Sequence, residues 1–277
     1  AWHCAPMAFE HRGTHVSVQH GTGDDAGICT VTIDRAPVNA LSREVQEELR
    51  SVAVAINKDD AVRVVVITGG PKVFAAGADV KQMSTWSAQQ ALEEAGPLQS
   101  SFDAVAAIRV PVIAQMSGYA LGGGLELALC ADIRIADDTV KVGQPEVLLA
   151  LIPGAGATQR LTRLIGPGRA KELIFTGRQM AAAEALACGL LNEVMSSEQL
   201  APRVTEVARR LARSSQSALR AAKRAIDSGA DESLATGLGI ERAEFAALFG
   251  QPDTARGFES FLANGPGKAD FRSPDKD

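Results

Sequence analysis

The chain has 277 residues, 46% of them hydrophobic and 22% charged, with a net charge of −5 and a pI near 5.5. That length can bury a full core, as one large domain or one domain with a helical appendage. The acidic balance and 4% aromatic content argue against nucleic acid, which needs a basic face and stacking platforms, and no run free of charge and proline is long enough to span a bilayer.

The opening stretch AWHCAPMAFEHRG (1–13) lacks the basic-then-apolar order of a signal peptide and is expected to be a disordered tail. All four histidines, His3, His11, His15 and His20, fall in or next to it. The body therefore has none, which removes Ser-His-Asp and Cys-His catalysis unless the tail folds back into a cleft. His11 and His15 are spaced to share a metal on a helix, but Gly13 and the strand pattern that follows favour a solvated tail. Cys4, Cys29, Cys130 and Cys188 lack metal-ligand spacing and suit a reducing compartment.

Thr14–Gln19 and Ile28–Asp34 alternate apolar and polar residues about a glycine-rich turn, which predicts a hairpin. Ser42 is placed to cap a helix ending near Asn57. Val62–Thr68 is a β-branched run bounded by Gly69-Gly70-Pro71 and reads as a buried strand. A helix capped at Ser84 or Ser87 is expected to run to Ile108, broken or kinked at Gly96-Pro97. Val112–Met116 reads as a buried strand, Gly122-Gly123-Gly124 as a turn, and Leu125–Ala131 as a helix. Short strands follow at Ile133–Ala136 and Val140–Val142, then a glycine–proline loop. From Gly168 onward the pattern is mostly helical. The expected class is α/β, with a core over 14–199 and an all-helical module over 200–277.

Three glycine motifs invite a nucleotide reading and fail it. GAGATQ (154–159) does not follow a predicted strand, GYALGGG lacks the Lys-Ser/Thr of a phosphate loop, and VVVITGG runs into Pro71. What remains is a coincidence. The turns Ala75–Asp79 and Gly122–Gly124 each follow a strand and can aim backbone N–H groups at one carbonyl oxygen. Glu126, between Leu125 and Leu127, and Glu146, beside Pro145, are carboxylates in water-poor surroundings, suited to acid–base work. The residues alone thus suggest an acyl-group enzyme. The competing reading makes both turns packing corners, Glu126 a cap or an arginine partner, and Glu146 a solvated loop residue.

At these residues a resemblance enters. FAAGADVKQM (74–83), GYALGGGLELALCADIRIA (118–136) and GQPEVLLALIPGAGATQRL (143–161) resemble the signature blocks of the crotonase superfamily, and within it the enoyl-CoA hydratases. IDRAPVNALS (33–42) and FTGRQMAAAEALACGLLNEV (175–194) are similar to its other recurring stretches, so the likeness runs from about Thr14 to Phe271. It implies a right-handed spiral of ββα units with a C-terminal helical oligomerisation module that builds homo-trimers, usually paired into hexamers. It implies hydration of trans-2-enoyl-CoA to 3-hydroxyacyl-CoA, as in fatty-acid β-oxidation. No cofactor or metal is then required, because coenzyme A is part of the acyl-CoA substrate. By motif, the Ala78 and Gly123 amides are the oxyanion donors, Glu126 deprotonates water, and Glu146 gives a proton to the α-carbon. Ala76, Ala78, Asp79, Val80 and Lys81 match the segment along the coenzyme, and Gly154 a backbone position near the water. Met83, Trp86 and Leu92 are candidates for the acyl tail, with ordinary core packing the competing reading. A cytoplasmic, bacterial setting is expected.

One departure stands out: LANGPGKADF near the C-terminus replaces the charged run usual in the family and leaves Lys268 as the candidate for a phosphate contact. Within the superfamily the rival activity is Δ3–Δ2 enoyl-CoA isomerisation, which typically uses one glutamate, followed by other acyl-CoA lyase chemistries of the fold. Outside it stand an NAD-dependent dehydrogenase built on VVVITGG and a non-catalytic scaffold.

Overall fold

A computed structural model describes residue 9 and residues 11–271. His3, Cys4 and most of the expected tail lie outside the described residues. Residues 14–16 are tied down rather than solvated: the Glu48 carboxylate accepts from the amides of Thr14 (2.9 Å), His15 (3.0 Å) and Val16 (2.7 Å). The hairpin forms as β1 (Val16–His20) and β2 (Ile28–Ile33), with Val18 opposite Val31. The helix α1 (Arg43–Ile56) starts where its cap predicts, Ser42 accepting from the Val45 amide, and buries Val45, Leu49, Val52, Ala53 and Ile56 along one face.

The chain then alternates between two sheets. β3 (Val64–Thr68) leads to β4 (Ala75–Ala76), followed by α2 (Val80–Met83) and α3 (Ala88–Ala106). β5 (Val112–Met116) leads to β6 (Tyr119–Leu121) and α4 (Gly123–Ala128). β7 (Ile133–Asp137) leads to β8 (Lys141–Gly143), a 3₁₀ turn at Glu146–Leu149, α5 (Ala157–Ile165) and α6 (Pro167–Thr176). Each unit is thus β–β–α, its first strand joining a large sheet and its second a small one. The last unit runs β9 (Gln179–Ala181), α7 (Ala182–Ala187) and β10 (Glu193–Met195). The large sheet has the order β1-β2-β3-β5-β7-β10 and the small one β4-β6-β8-β9.

β3 shows why both faces of the large sheet are apolar. Val65 and Ile67 enter the main core with α1, α3 and α4, whereas Val64 and Val66 point to the other face. That second face is covered by α8 (Ser197–Arg213), through Leu200, Val204, Ala208 and Ala212 at helical spacing. Beyond it, α9 (Gln216–Gly229) packs with α10 (Leu234–Leu248), while α10 and α11 (Pro252–Asn264) bury no residue.

One expectation needs correction. α3 is unbroken across Gly96-Pro97. Proline removes one hydrogen bond, to the carbonyl four residues earlier, and both Glu93 and Pro97 are exposed, so water can take that carbonyl. The Ser87–Gln90 capping box secures the start of the helix, and α1 packs along it. The region after Gly168 is mostly helical, as expected, with β9 and β10 as short strands within it. Each has three residues, and each is set by its pairing, with β8 and β7 respectively.

Candidate active site

The two small-residue turns meet. β4 and β6 are parallel neighbours, Ala75 beside Ala120 and Ala76 beside Leu121, so the residues leaving their C-terminal ends emerge side by side. The first turn is fastened to the start of α1, with Leu41 N–H donating to Gly77 O (2.9 Å) and Ala76 N–H to Val38 O (2.9 Å). Buried Asn39 donates to the carbonyls of Gly69 (2.9 Å) and Val73 (3.1 Å), which fixes the loop before it. The second turn needs glycine twice. Gly122 has φ +52° and a Cβ there would stand 2.8 Å from Glu146 Oε1, and a Cβ on Gly124 would overlap the Ala75 carbonyl oxygen. Gly123 is the first residue of α4, so its N–H has no partner within the helix. A Cβ on Gly123 would lie 3.5 Å from the Ala78 nitrogen. The backbones of Ala78 and Gly123 therefore face one another closely.

Both glutamates open onto the same cavity of about 210 Å³. Its wall includes Ala76, Ala78, Asp79, Val80, Gly123, Glu126, Glu146 and Gly154, which is every residue expected to act in catalysis or to lie along the coenzyme segment except Lys81. Lys81 is exposed on α2, outside that wall. Asp79 caps α2, accepting from the Lys81 amide at 3.1 Å, and pairs with Arg35 at 2.7 Å. Met83, Trp86, Leu98 and Phe102 add apolar wall, while Leu92, 73% exposed, takes no part. A larger groove of about 1380 Å³, between α8 and the C-terminal segment, contains Lys268 and none of the other expected residues.

The carboxyls differ in surroundings. Glu126 is 3% exposed, and burial raises its proton affinity, opposed by hydrogen bonds from the 155–157 turn and by the charge of Arg160. Its Oε1 accepts from the amides of Ala155 (2.8 Å) and Ala157 (2.9 Å). Glu126 does not cap its own helix; it binds the start of α5 instead. Glu146 is half-buried, and burial, with the Glu126 charge across the cavity, pushes it up to about 7. Fully buried Gln144, with its amide nitrogen turned to that carboxylate, donates to Oε1 at 2.9 Å and Oε2 at 3.1 Å. The thiol of Cys130, one turn beyond Glu126, is pushed up to about 12 by burial and is no nucleophile.

Sequence reasoning missed the amides of Ala155 and Ala157, and with them Gln144 and Arg160. The signal for the first two was present in GAGATQ. That loop does present amides, but to a carboxylate of the same chain rather than to a phosphate. Among the described residues no group of three or more His, Cys, Asp or Glu side chains is arranged to hold a metal ion, and no helix is long and apolar enough to cross a membrane.

Comparison with known proteins places the chain in a family. The family described as Enoyl-CoA hydratase/isomerase matches residues 23–273. The chain belongs to that family, and its fold is the crotonase fold. Among relatives, it is 42% identical over 226 residues to the crotonyl-CoA hydratase of Syntrophomonas wolfei, covering 81% of this chain and 87% of that protein. The crystal structure of an enoyl-CoA hydratase from Bacillus anthracis superposes with a TM-score of 0.86 at 38% identity, covering 90% of this chain and 96% of that one. That of an enoyl-CoA hydratase from Thermoplasma volcanium gives 0.80 at 32%, with 90% and 96% covered.

Proposed function

We propose that the protein adds water across the double bond of trans-2-enoyl-CoA thioesters to give 3-hydroxyacyl-CoA. The observation that carries this reading is the convergence of the Ala78 and Gly123 backbones beside two carboxyls in one cavity. The thioester oxygen sits between the two amides, which stabilise the negative charge that develops as water attacks C3. Glu126, buried and held by two amides, orients the water and takes its proton. Glu146, whose burial pushes it up to about 7 so that it can both hold and release a proton near neutrality, gives a proton to C2. Water's oxygen and one of its protons end on C3 as hydroxyl and the Glu146 proton ends on C2; the second water proton leaves Glu126 for solvent, and solvent reprotonates Glu146. The coenzyme runs along Ala76–Val80, with Lys81 outside the wall as a free cation for its phosphates. Met83, Trp86, Leu98 and Phe102 receive the acyl chain.

The apolar residues left open on α10 and α11, among them Phe245, Phe249, Phe258 and Leu262, suit assembly into trimers or hexamers. The test of the activity is loss of enoyl absorbance with crotonyl-CoA and longer 2-enoyl-CoAs. A steady decrease is expected with at least one chain length. Flat traces with all of them, or conversion of a 3-enoyl-CoA alone, would overturn the hydratase reading.

A further inference from the structure

The turn that grips Glu126 is itself gripped from behind. Arg160, in the first turn of α5, donates from Nη1 to the Ala155 carbonyl (3.1 Å) and from Nη2 to Asp103 Oδ1 on α3 (2.6 Å). The 155–157 turn is thus clamped, with a carboxylate on its amide side and a guanidinium on its carbonyl side. Gly156 makes room for the clamp: its φ is +121°, and a Cβ there would overlap Arg160 Nη1. Glu126 and Arg160 therefore hold one residue, Ala155, at its two ends, and Asp103 ties the clamp to the helix that walls the cavity.

We propose that Arg160 is a positioning residue of the catalytic centre, which fixes the 155–157 turn and holds a positive charge behind Glu126 so that Glu126 stays aimed and ionised. This rests on the hydratase reading above. It gives a physical reason for the division of labour between two carboxyls that share a cavity. Glu126 has a cation joined to the same turn, and Glu146 has none among the causes of its shift. The other groups facing Glu126 do not supply that charge. Cys130 on α4 is a neutral thiol, Asp103 on α3 and Glu146 across the cavity are acidic, and the remaining charged residues of the wall are paired, Arg43 with Glu94 (2.8 Å) and Asp79 with Arg35 (2.7 Å). Glu126 must be ionised to act as a base. Removing Arg160 raises its proton affinity and moves the acid limb of the rate profile to higher pH.

The experiment compares parent, Arg160→Met, Arg160→Lys and Asp103→Ala by pH profiles of kcat and kcat/KM with crotonyl-CoA, and by hydrogen-exchange protection of the Ala155 and Ala157 amides. Arg160→Met is expected to lower kcat about tenfold to a hundredfold with KM within about threefold. It should also move the acid limb up by about one pH unit and deprotect both amides. Arg160→Lys keeps a charge but not the two-pronged grip, so it should restore the limb more than kcat. An unmoved limb together with unchanged amide protection in Arg160→Met would overturn the proposal. Should Arg160→Met not fold, Asp103→Ala decides. It leaves the guanidinium in place and removes the acceptor that tethers it, and unaltered protection at Ala155 would then count as refutation. A parent inert toward every 2-enoyl-CoA would defeat the hydratase reading, whereas amide protection would still decide whether Arg160 holds the turn.

Discussion

The glycine turn and the last two helices solve opposite problems with side chains. From Gly122 to Cys130 every residue is buried, and the critical contacts are made by backbone atoms that approach because a side chain is missing. In α10 and α11 no residue is buried. There Phe249 touches Phe245 and Phe258, at ring separations of 5.2 and 6.1 Å, yet all three rings stay more than half exposed. The first region is complete in its own fold, and a single added carbon is an intrusion. The second carries apolar surface beyond what a lone domain covers and reads as one side of a contact. The proposed chemistry falls where the chain is full, and the proposed assembly where it is unfinished.

The sharpest way to break this contrast is Gly124→Val. With a Cβ overlapping the Ala75 carbonyl, the variant is expected to lose about 3 kcal/mol or more of stability, or to fail to fold, in denaturant titration. Mild behaviour would mean that the turn is less tightly built than its contacts indicate. Next come changes that spare the fold and strike the chemistry. Glu126→Gln should lower turnover by about 10²–10⁴. Gly123→Pro, which deletes one donor at a helix position that accepts proline, should lower it by about 10²–10³. Near-normal kcat in either folded variant would detach the glycine turn from catalysis. On the other side of the comparison, Phe249→Asp with Phe258→Asp should shift sedimentation to smaller species with the circular-dichroism spectrum retained. An unchanged size would show those rings to be ordinary surface.

The smallest effect is in stability. Glu146 holds its proton more tightly in the fold than the ordinary 4.5 of a free glutamate, at about 7. Its contribution is therefore full at low pH and declines as pH rises through 7. After allowance for partial exposure, Glu146→Gln should be about 1–2 kcal/mol more stable than the parent at pH 8 and close to it at pH 4. Thermal melts at the two pH values decide this, and an equal offset at both would remove burial of charge as the cause.

Local signals explain most of what could be read without coordinates. Val112–Met116 appears as a strand over the residues its apolar run marks, and α1 begins at the cap that Ser42 supplies. β6, β9 and β10 escaped because three residues carry no period and their pairing partners lie elsewhere in the chain. The burial of Glu126 between two leucines was legible, but its partners were not. Ala155 and Ala157 are about thirty residues away and act through atoms that every residue possesses. Lys81 shows the converse limit: a motif places a charge near a segment but does not say which way a long side chain leaves it.

The close approach of the Ala78 and Gly123 backbones has one more consequence. A deep mutational scan of this protein would show intolerance at Gly124 and, on the proposed mechanism, at the glutamates, yet it would be blind to the amides proposed to polarise the thioester, since nearly every codon encodes the same N–H. Only chemistry that edits the main chain, such as an ester installed for the peptide bond at either position by semisynthesis, makes those atoms visible to an experimenter.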